Sequence, residues 1–217
     1  MLELNKIYCG GCLELMKSIP DKSIDLVLTD PPYWISIDKK FQDSAWKKWW
    51  LAYKSDFGDS NRDTDIPSKE YFEEIFRVSK NQIIRWWNYF IENLTNSPHW
   101  IVRDKNINWN FADCELARTS YKKPIKKFEW TRNGMIQEDM WNKEIRHHPT
   151  QKPIPLFRWI LDNYSEKWMT ILDPFLWSWT TAIACKEMWR NFIGIEKEQK
   201  YVDIANKRLQ STTIWMF

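Results

Sequence analysis

Short apolar segments alternate with amphipathic helical segments along most of this chain, and this alternation limits the fold more than any other feature. Apolar runs typical of strands lie at 5–9, 24–29, 82–85, 100–103, 169–172 and 192–195. Segments with apolar residues at helical spacing lie at 12–19, 67–78, 156–164, 180–188 and 199–209. Strands that alternate with helices predict an α/β fold, in which a mostly parallel sheet carries helices on both faces.

Length and composition are those of one folded domain. The chain has 217 residues, of which 43% are hydrophobic and 28% charged, so it is neither disordered nor too short to bury a core. Mean hydropathy is -0.61, and neither a bilayer-spanning apolar run nor a signal-like leader is present. We therefore expect one cytoplasmic domain over 1–217 with reduced cysteines. A net charge of +3 permits a polyanionic partner without requiring one.

Two of the predicted strands end in unusual polar sequences. The first continues into Asp30, Pro31, Pro32 and Tyr33, and the second into the loop at 173–181. Ligands of parallel sheets bind at the carboxyl ends of the strands. The Asp30 carboxylate and the Pro31 carbonyl can accept the two N–H bonds of an exocyclic amine, while Tyr33 offers a flat face to its ring. A stiff turn with a surface tyrosine is the structural alternative.

Three motifs in a characteristic order resemble those of a known family. Asp-Pro-Pro-Tyr at 30–33, His-Pro-Thr-Gln-Lys-Pro at 148–153 and Asp-Pro-Phe at 173–175 resemble motifs IV, X and I of the S-adenosylmethionine-dependent DNA amino-methyltransferases. The catalytic motif comes early and the cofactor loop late, as in the permuted beta group. The resemblance implies a Rossmann-like class I methyltransferase fold, encoded by a bacterium or a phage.

The resemblance also implies where the cofactor and the target base bind. Residues 30–33 would form the catalytic site, and Glu196 would hold the ribose hydroxyls of S-adenosylmethionine. The residues implied around the cofactor are Gly10, Gly11, Thr150, Gln151, Lys152, Asp173, Phe175, Trp177, Trp179, Thr180, Thr181 and Glu196. Gly11 departs from the family, which usually has an aspartate there, so one contact with the cofactor adenine stays open. No metal is implied.

The implied reaction moves a methyl group to N6 of adenine in double-stranded DNA, with the target base flipped out of the duplex. Aspartate at the first motif position favours adenine in this family. Methylation of cytosine N4 is one alternative, and an inactive DNA-binding relic is another. The resemblance leaves open the target sequence, the oligomeric state and whether a restriction endonuclease is a partner.

Contact with DNA is predicted for the polar segment at 105–147, a small target-recognition insertion, and for the loop at 34–65. The basic residues of the first segment have aromatic neighbours at 121, 128 and 130, a pattern that suits phosphate contact. These basic residues are Lys122, Lys123, Lys126, Lys127 and Arg132. A solvated lysine-rich face is the alternative.

The glycine and tryptophan contents are abnormal. The chain has 5 glycines and 16 tryptophans, where roughly 15 glycines would be usual. In the family the cofactor loop reads Asp-Pro-Phe-x-Gly-Ser-Gly-Thr-Thr, with glycines where Trp177 and Trp179 stand here. Arg85, conversely, stands where the family has a tryptophan. The pattern is a directed exchange of glycine to tryptophan and of tryptophan to arginine.

We therefore hypothesise a mismatch of genetic codes, in which the gene's own code reads UGA as glycine and CGG or CGA as tryptophan. The tryptophans that would be glycines are Trp34, Trp49, Trp50, Trp86, Trp87, Trp109, Trp141, Trp168, Trp177, Trp179, Trp189 and Trp215. The arginines that would be tryptophans are Arg62, Arg85, Arg103 and Arg118. Adding the twelve to the 5 glycines gives 17 and leaves 4 of the 16 tryptophans, which is ordinary glycine usage.

A decayed, inactive gene is the alternative to this mismatch. The two readings have different consequences for the cofactor loop. An indole at a glycine position of the loop would strain the backbone and fill space that the cofactor needs. With the glycines present, the same loop would be intact.

Overall fold

The computed structural model describes residues 2–32, 67–93, 96–106, 112–133, 136–139, 141, 151–177 and 179–212. Tyr33, Thr150 and the loop at 34–65 lie outside the described residues, as does the side chain of Arg132. The structure therefore gives the surroundings of Asp30, Lys152 and Asp173, but not those of every predicted site residue.

One eight-stranded sheet forms the centre of the molecule. Its strands are β1 Lys6–Cys9, β2 Ile24–Thr29, β3 Ser79–Arg85, β4 Trp100–Asp104, β5 Cys114–Thr119, β6 Lys126–Glu129, β9 Thr170–Asp173 and β10 Asn191–Glu196. Their order across the sheet is β1-β10-β9-β2-β3-β5-β4-β6. Neighbours from β1 to β3 are parallel, β5 is antiparallel to β3 and β4, and β6 is parallel to β4. The predicted mostly parallel sheet is confirmed.

Helices cover both faces of this sheet. They are α1 Cys12–Met16, α2 Lys69–Val78, α3 Ile154–Tyr164, α4 Thr180–Glu187 and α5 Gln199–Ser211. Buried residues of α1 and α2 form one core cluster with Val27, and those of α3, α4 and α5 form the other with Leu26. Because these neighbours on β2 point to opposite faces, the two clusters lie on opposite sides of the sheet. Within the described ranges, no helix is long and apolar enough to cross a membrane.

The strand that ends at Asp30 occupies the middle of the sheet. β2 pairs with β9 through Leu26 and Val27, and with β3 through most of its length. Five of its six residues are buried, which is expected for a parallel strand covered on both faces. Since β2 and β9 are parallel neighbours, Asp30 and Asp173 lie at the same edge of the sheet.

Residues 105–147 contribute more to the sheet than the sequence analysis predicted. Strands β5 and β6 both come from this segment, and both belong to the main sheet. Two further short strands, β7 Arg132–Asn133 and β8 Ile136–Gln137, form a separate antiparallel pair. The role of the segment in target recognition stays a prediction.

Gly194 on β10 provides a test of the packing under the site. A Cβ atom built on this glycine would lie 2.5 Å from Cδ2 of Leu176, whose side chain is buried. We expect Gly194→Ala to lower the free energy of unfolding by about 1–3 kcal/mol, because the core must shift to admit the methyl group. Gly11→Ala is the control, since an added Cβ would lie 4.0 Å from Cβ of Glu14, an ordinary van der Waals distance. Equal stability of the two variants in urea unfolding would contradict the expectation.

Candidate active site

Asp30 lies directly after β2 with a side chain that is 18% exposed. Its Oδ2 atom accepts a hydrogen bond of 3.2 Å from Nη1 of Arg85 and lies 3.7 Å from Nζ of Lys152. Its Oδ1 atom is buried and has no hydrogen-bond partner among the described residues. A buried carboxylate oxygen without a partner is uncommon in proteins. It is therefore an acceptor to which none of the described residues donates a hydrogen bond.

A group of positive charges surrounds Glu115, which enters this region from β5. Nη atoms of arginine and Nζ atoms of lysine contact its carboxylate in four ion pairs, with Arg85, Arg103, Lys105 and Lys152. Burial by itself would raise the pKa of Glu115, but the nearby positive charges of Lys152 and Arg85 hold that pKa well below its usual range. Glu115 could not be predicted from the sequence, because a long-range ion pair leaves no local pattern.

Lys152 connects three segments of the site. Its backbone carbonyl accepts a hydrogen bond of 3.3 Å from Oγ1 of Thr180 at the start of α4. Its ammonium group lies 4.7 Å from the centre of the Trp86 ring and close to Asp30. Burial lowers the pKa of Lys152, while the charges of Asp30 and Glu115 oppose this shift. Gln151, the predicted neighbour in the same motif, is buried as well.

Asp173 lies at the end of β9 and is buried. Thr181 donates a hydrogen bond of 2.5 Å from Oγ1 to its Oδ2, and the backbone N–H of Phe175 donates one of 3.2 Å to its Oδ1. Burial raises the pKa of Asp173 to about 8, and the charges of Asp30 and Glu196 act in the same direction. The structure thus brings together the acidic residues that the sequence analysis placed at two different motifs.

The raised pKa of Asp173 predicts a pH-dependent stability. Between the ordinary value of 3.8 and about 8, the unfolded chain has lost this proton and the folded chain keeps it. The free energy of unfolding therefore falls as the pH rises through this window, by on the order of 6 kcal/mol. Asp173→Asn should flatten the profile, measured by urea unfolding at several pH values. Asp203→Asn, an exposed carboxylate on α5, should keep the original profile, and identical profiles for all three chains would contradict the expectation.

Glu196 and Gly10 are neighbours at the far side of the same sheet edge. The N–H of Gly10 donates a hydrogen bond of 3.0 Å to the carbonyl of Glu196, just after β1 and β10 end. The Glu196 carboxylate accepts a hydrogen bond of 2.9 Å from the N–H of Glu198. Gly11 precedes α1 with an ordinary φ of -68°. The predicted cofactor residues of the first and last strands are therefore adjacent in space.

The loop after β9 directs its aromatic side chains to different places. Phe175 lies with its ring centre 4.9 Å from that of Tyr71 and 6.2 Å from that of Trp177. Trp179 is completely buried in the core cluster of α3, α4 and α5, where the Arg208 guanidinium lies 5.4 Å from its ring centre. The structure therefore accommodates the Trp179 indole in the core. Whether it fills the space that the cofactor needs stays a prediction.

The lysines of the predicted basic surface differ in their contacts. Lys122 and Lys126 are exposed. Lys123 donates a hydrogen bond to the carbonyl of Asn163, and Lys127 pairs with Glu129. The aromatic residues near these lysines are partly buried. Phe128 packs against the core, and its ring stacks on that of Trp130 with 6.1 Å between the ring centres. DNA binding by this surface stays a prediction.

The described residues include no group of three or more histidine, cysteine, aspartate or glutamate side chains that could hold a metal ion. The free cysteines among them are Cys9, Cys12, Cys114 and Cys185.

Several solved methyltransferase structures share this fold. PvuII DNA methyltransferase (cytosine-N4-specific) superposes with a TM-score of 0.62 and 15% identity, covering 93% of this chain and 85% of that one. The M1.HpyAVI–SAM complex superposes with a TM-score of 0.58 and 23% identity, covering 94% of this chain and 98% of that one. At these identities the likeness concerns the fold.

Sequence comparisons point to the same group of proteins. Type II methyltransferase M.HinfI of Haemophilus influenzae is 28% identical over 256 aligned positions, covering 95% of this chain and 68% of that protein. Type II methyltransferase M2.MboI of Moraxella bovis is 27% identical and covers 95% of this chain and 88% of that protein. The family model described as DNA methylase, of the N6/N4 type, matches residues 68–207. Because this match runs from α2 into α5, through most of the sheet and the edge that holds Asp173, the chain belongs to the DNA methylase family.

Proposed function

We propose that this protein transfers a methyl group from S-adenosylmethionine to N6 of adenine in DNA. The observation that carries the proposal is the buried Oδ1 atom of Asp30, which has no hydrogen-bond partner among the described residues. An acceptor of this kind, directly before Pro31 at the end of a central strand, suits the N–H of an exocyclic amine. Membership of the family supplies the reaction class.

The acidic residues at the sheet edge fit S-adenosylmethionine. Glu196 and Asp173 are the last residues of two neighbouring strands, and the charge of Glu196 helps to raise the pKa of Asp173. Carboxylates suit the ribose hydroxyls and the positive groups of that cofactor. The cations around Glu115 lack this fit, because like charges near a sulfonium raise its energy.

The chain's own residues would act on the target base. Asp30 and the Pro31 carbonyl accept the two N–H bonds of the amine, which favours a tetrahedral nitrogen and localises its lone pair. Tyr33 takes up the stacking that the base loses when it leaves the duplex. Glu196 and Asp173 hold the cofactor, which supplies the methyl group as a sulfonium substituent. Positioning and electrostatic stabilisation account for most of the rate increase.

We also propose where the protein acts, which partner accompanies it and which side chains contact DNA. Because the substrate is DNA, we place the protein inside the cell. A restriction endonuclease is the partner class that such a site-specific activity would accompany. Lys122, before β6, and Lys126, on β6, are exposed, and we propose these two described side chains for phosphate contact.

The test measures transfer of labelled methyl from S-adenosylmethionine to unmethylated DNA, followed by identification of the methylated nucleoside. Two chains are compared: the printed chain, and the exchanged chain, which carries glycine at the twelve tryptophans and tryptophan at the four arginines named above. Label in N6-methyladenine supports the proposal. Label in N4-methylcytosine would assign the alternative base, and no transfer by either chain would overturn the proposal in favour of an inactive relic.

A further inference from the structure

Four tryptophans have a backbone conformation that side chains rarely adopt. The φ angles are 54° at Trp86, 70° at Trp168, 49° at Trp179 and 62° at Trp189. For a bulky residue this left-handed region is an outlier, because its Cβ atom crowds the following carbonyl oxygen. All four belong to the twelve tryptophans that the family pattern predicts to be glycines. The tryptophans outside that set and within the described ranges, at 100, 130 and 159, are not among the left-handed residues.

At Trp189 the left-handed conformation closes the C-terminal end of helix α4. Helix α4 is followed by Met188, then by Trp189 in the left-handed region. The N–H of Arg190 donates a hydrogen bond of 2.9 Å to the carbonyl of Cys185, the pattern that closes a helix in a Schellman motif. The left-handed position of that motif is usually a glycine. At the other end of the same helix, Trp179 has φ 49° and ψ 7° at the N-cap.

Three arginines are buried at positions where the family pattern predicts tryptophan. Arg85, Arg103 and Arg118 are 2%, 5% and 5% exposed. The guanidinium of Arg118 lies 5.6 Å from the centre of the Phe76 ring, and burial lowers the pKa of Arg118. The Nε atom of Arg103 is buried without a hydrogen-bond partner among the described residues. These enclosed, partly aromatic surroundings suit a large flat side chain better than a charged one.

The charge balance beside Asp30 also favours tryptophan over arginine at positions 85 and 103. Asp30 and Glu115 are two carboxylates, and four cations pair with them: Arg85, Arg103, Lys105 and Lys152. Counted over these described ion pairs, the group has two more positive than negative charges, which is costly away from water. With tryptophan at both arginine positions, two lysines would face two carboxylates and the excess would vanish.

We propose that the protein made in its own cell carries glycine at positions 86, 168, 179 and 189 and tryptophan at positions 85, 103 and 118. The backbone angles support the first exchange, and the burial and charge balance support the second. These observations are independent of each other and of the reaction proposed above. The exchange also frees the Asp30 carboxylate from its ion pair with Arg85, a consequence that does rest on the proposed function.

The deciding measurement is peptide mass spectrometry of the protein purified from the cells that carry its gene. We expect glycine masses at 179 and 189 and tryptophan masses at 85 and 103. Tryptophan at 179 and 189 would overturn the proposal, whatever the protein catalyses. Methyl transfer plays no part in this readout, so a wrong reaction and a wrong residue assignment are distinguishable.

A second measurement tests the backbone argument in the printed chain. Trp168→Gly and Trp168→Ala both remove an indole that is 64% exposed, and only glycine relieves the left-handed strain. We expect the glycine variant to unfold about 2–8 °C above the alanine variant, and the same at 189. At Trp130, half-buried and outside the left-handed region, the order should reverse, because glycine loses more chain entropy. If the alanine variants at 168 and 189 unfold at the same temperature as the glycine variants, or at a higher one, the proposal is overturned.

Discussion

Replacing Asp30 with alanine in the exchanged chain is expected to lower the rate of methyl transfer by about 10²–10³-fold. The reason is the loss of the buried acceptor that we propose for the target amine. Cofactor binding should change little, because Glu196 and Asp173 hold the cofactor in this proposal. Single-turnover transfer of labelled methyl measures the rate, and equilibrium binding of S-adenosylmethionine is measured separately.

Asp25→Asn is the matched control for this variant. Asp25 belongs to the same strand but lies at its opposite end, where its Oδ1 pairs with Lys80 at 2.7 Å and its Oδ2 accepts the N–H of Thr170 at 2.9 Å. The control should keep the rate of the exchanged chain. Full transfer by Asp30→Ala would remove Asp30 from the reaction, and a parallel loss of cofactor binding would indicate a general defect of the site.

A second large effect is expected for Glu115→Gln in the printed chain, where the free energy of unfolding should fall by about 3–5 kcal/mol. The substitution keeps the shape of the side chain and removes the charge that neutralises Arg85, Arg103 and two lysines. The pKa of Glu115 lies below its ordinary value of 4.5 in the folded chain. Its contribution is therefore present above that ordinary value and is lost as the pH falls through the folded pKa.

Urea unfolding of three chains tests this expectation. Glu129→Gln, an exposed partner of Lys127, should behave like the unsubstituted chain, since surface ion pairs contribute little. In a chain that already carries tryptophan at 85 and 103, Glu115→Gln should cost less, because two fewer cations depend on this carboxylate. A Glu115→Gln variant as stable as the printed chain would contradict the charge argument.

The central strands could be predicted from the sequence because their signals are local. β2 and β9 are short, mainly apolar runs, and each leads directly into an Asp-Pro step. The helix and strand bounds moved by only a few residues, as at α1, which ends at Met16 where the pattern continued to Ile19. The meeting of Asp30 with Asp173 also followed, since parallel strands end at one edge of a sheet.

The cluster at Glu115 could not be predicted in this way. Its strand, Cys114–Thr119, mixes polar and apolar residues without a regular alternation, inside a segment that is polar overall. Glu115 and Arg118 are buried there, and ion pairs with residues tens of positions away make the burial of Glu115 tolerable. Such pairs depend on the order of strands across the sheet. That order, with β5 between β3 and β4, has no counterpart in the local pattern.

The position of β2 between β3 and β9 has a consequence for synthesis of the chain. One neighbour follows about 50 residues later, whereas the other, Thr170–Asp173, emerges only after most of the chain has been made. Until then, one edge of the strand that leads to Asp30 offers unpaired N–H and C=O groups to any other strand. A ribosome that stops before Thr170 would therefore release a fragment with an unpaired strand edge. Such fragments tend to aggregate rather than to fold in part.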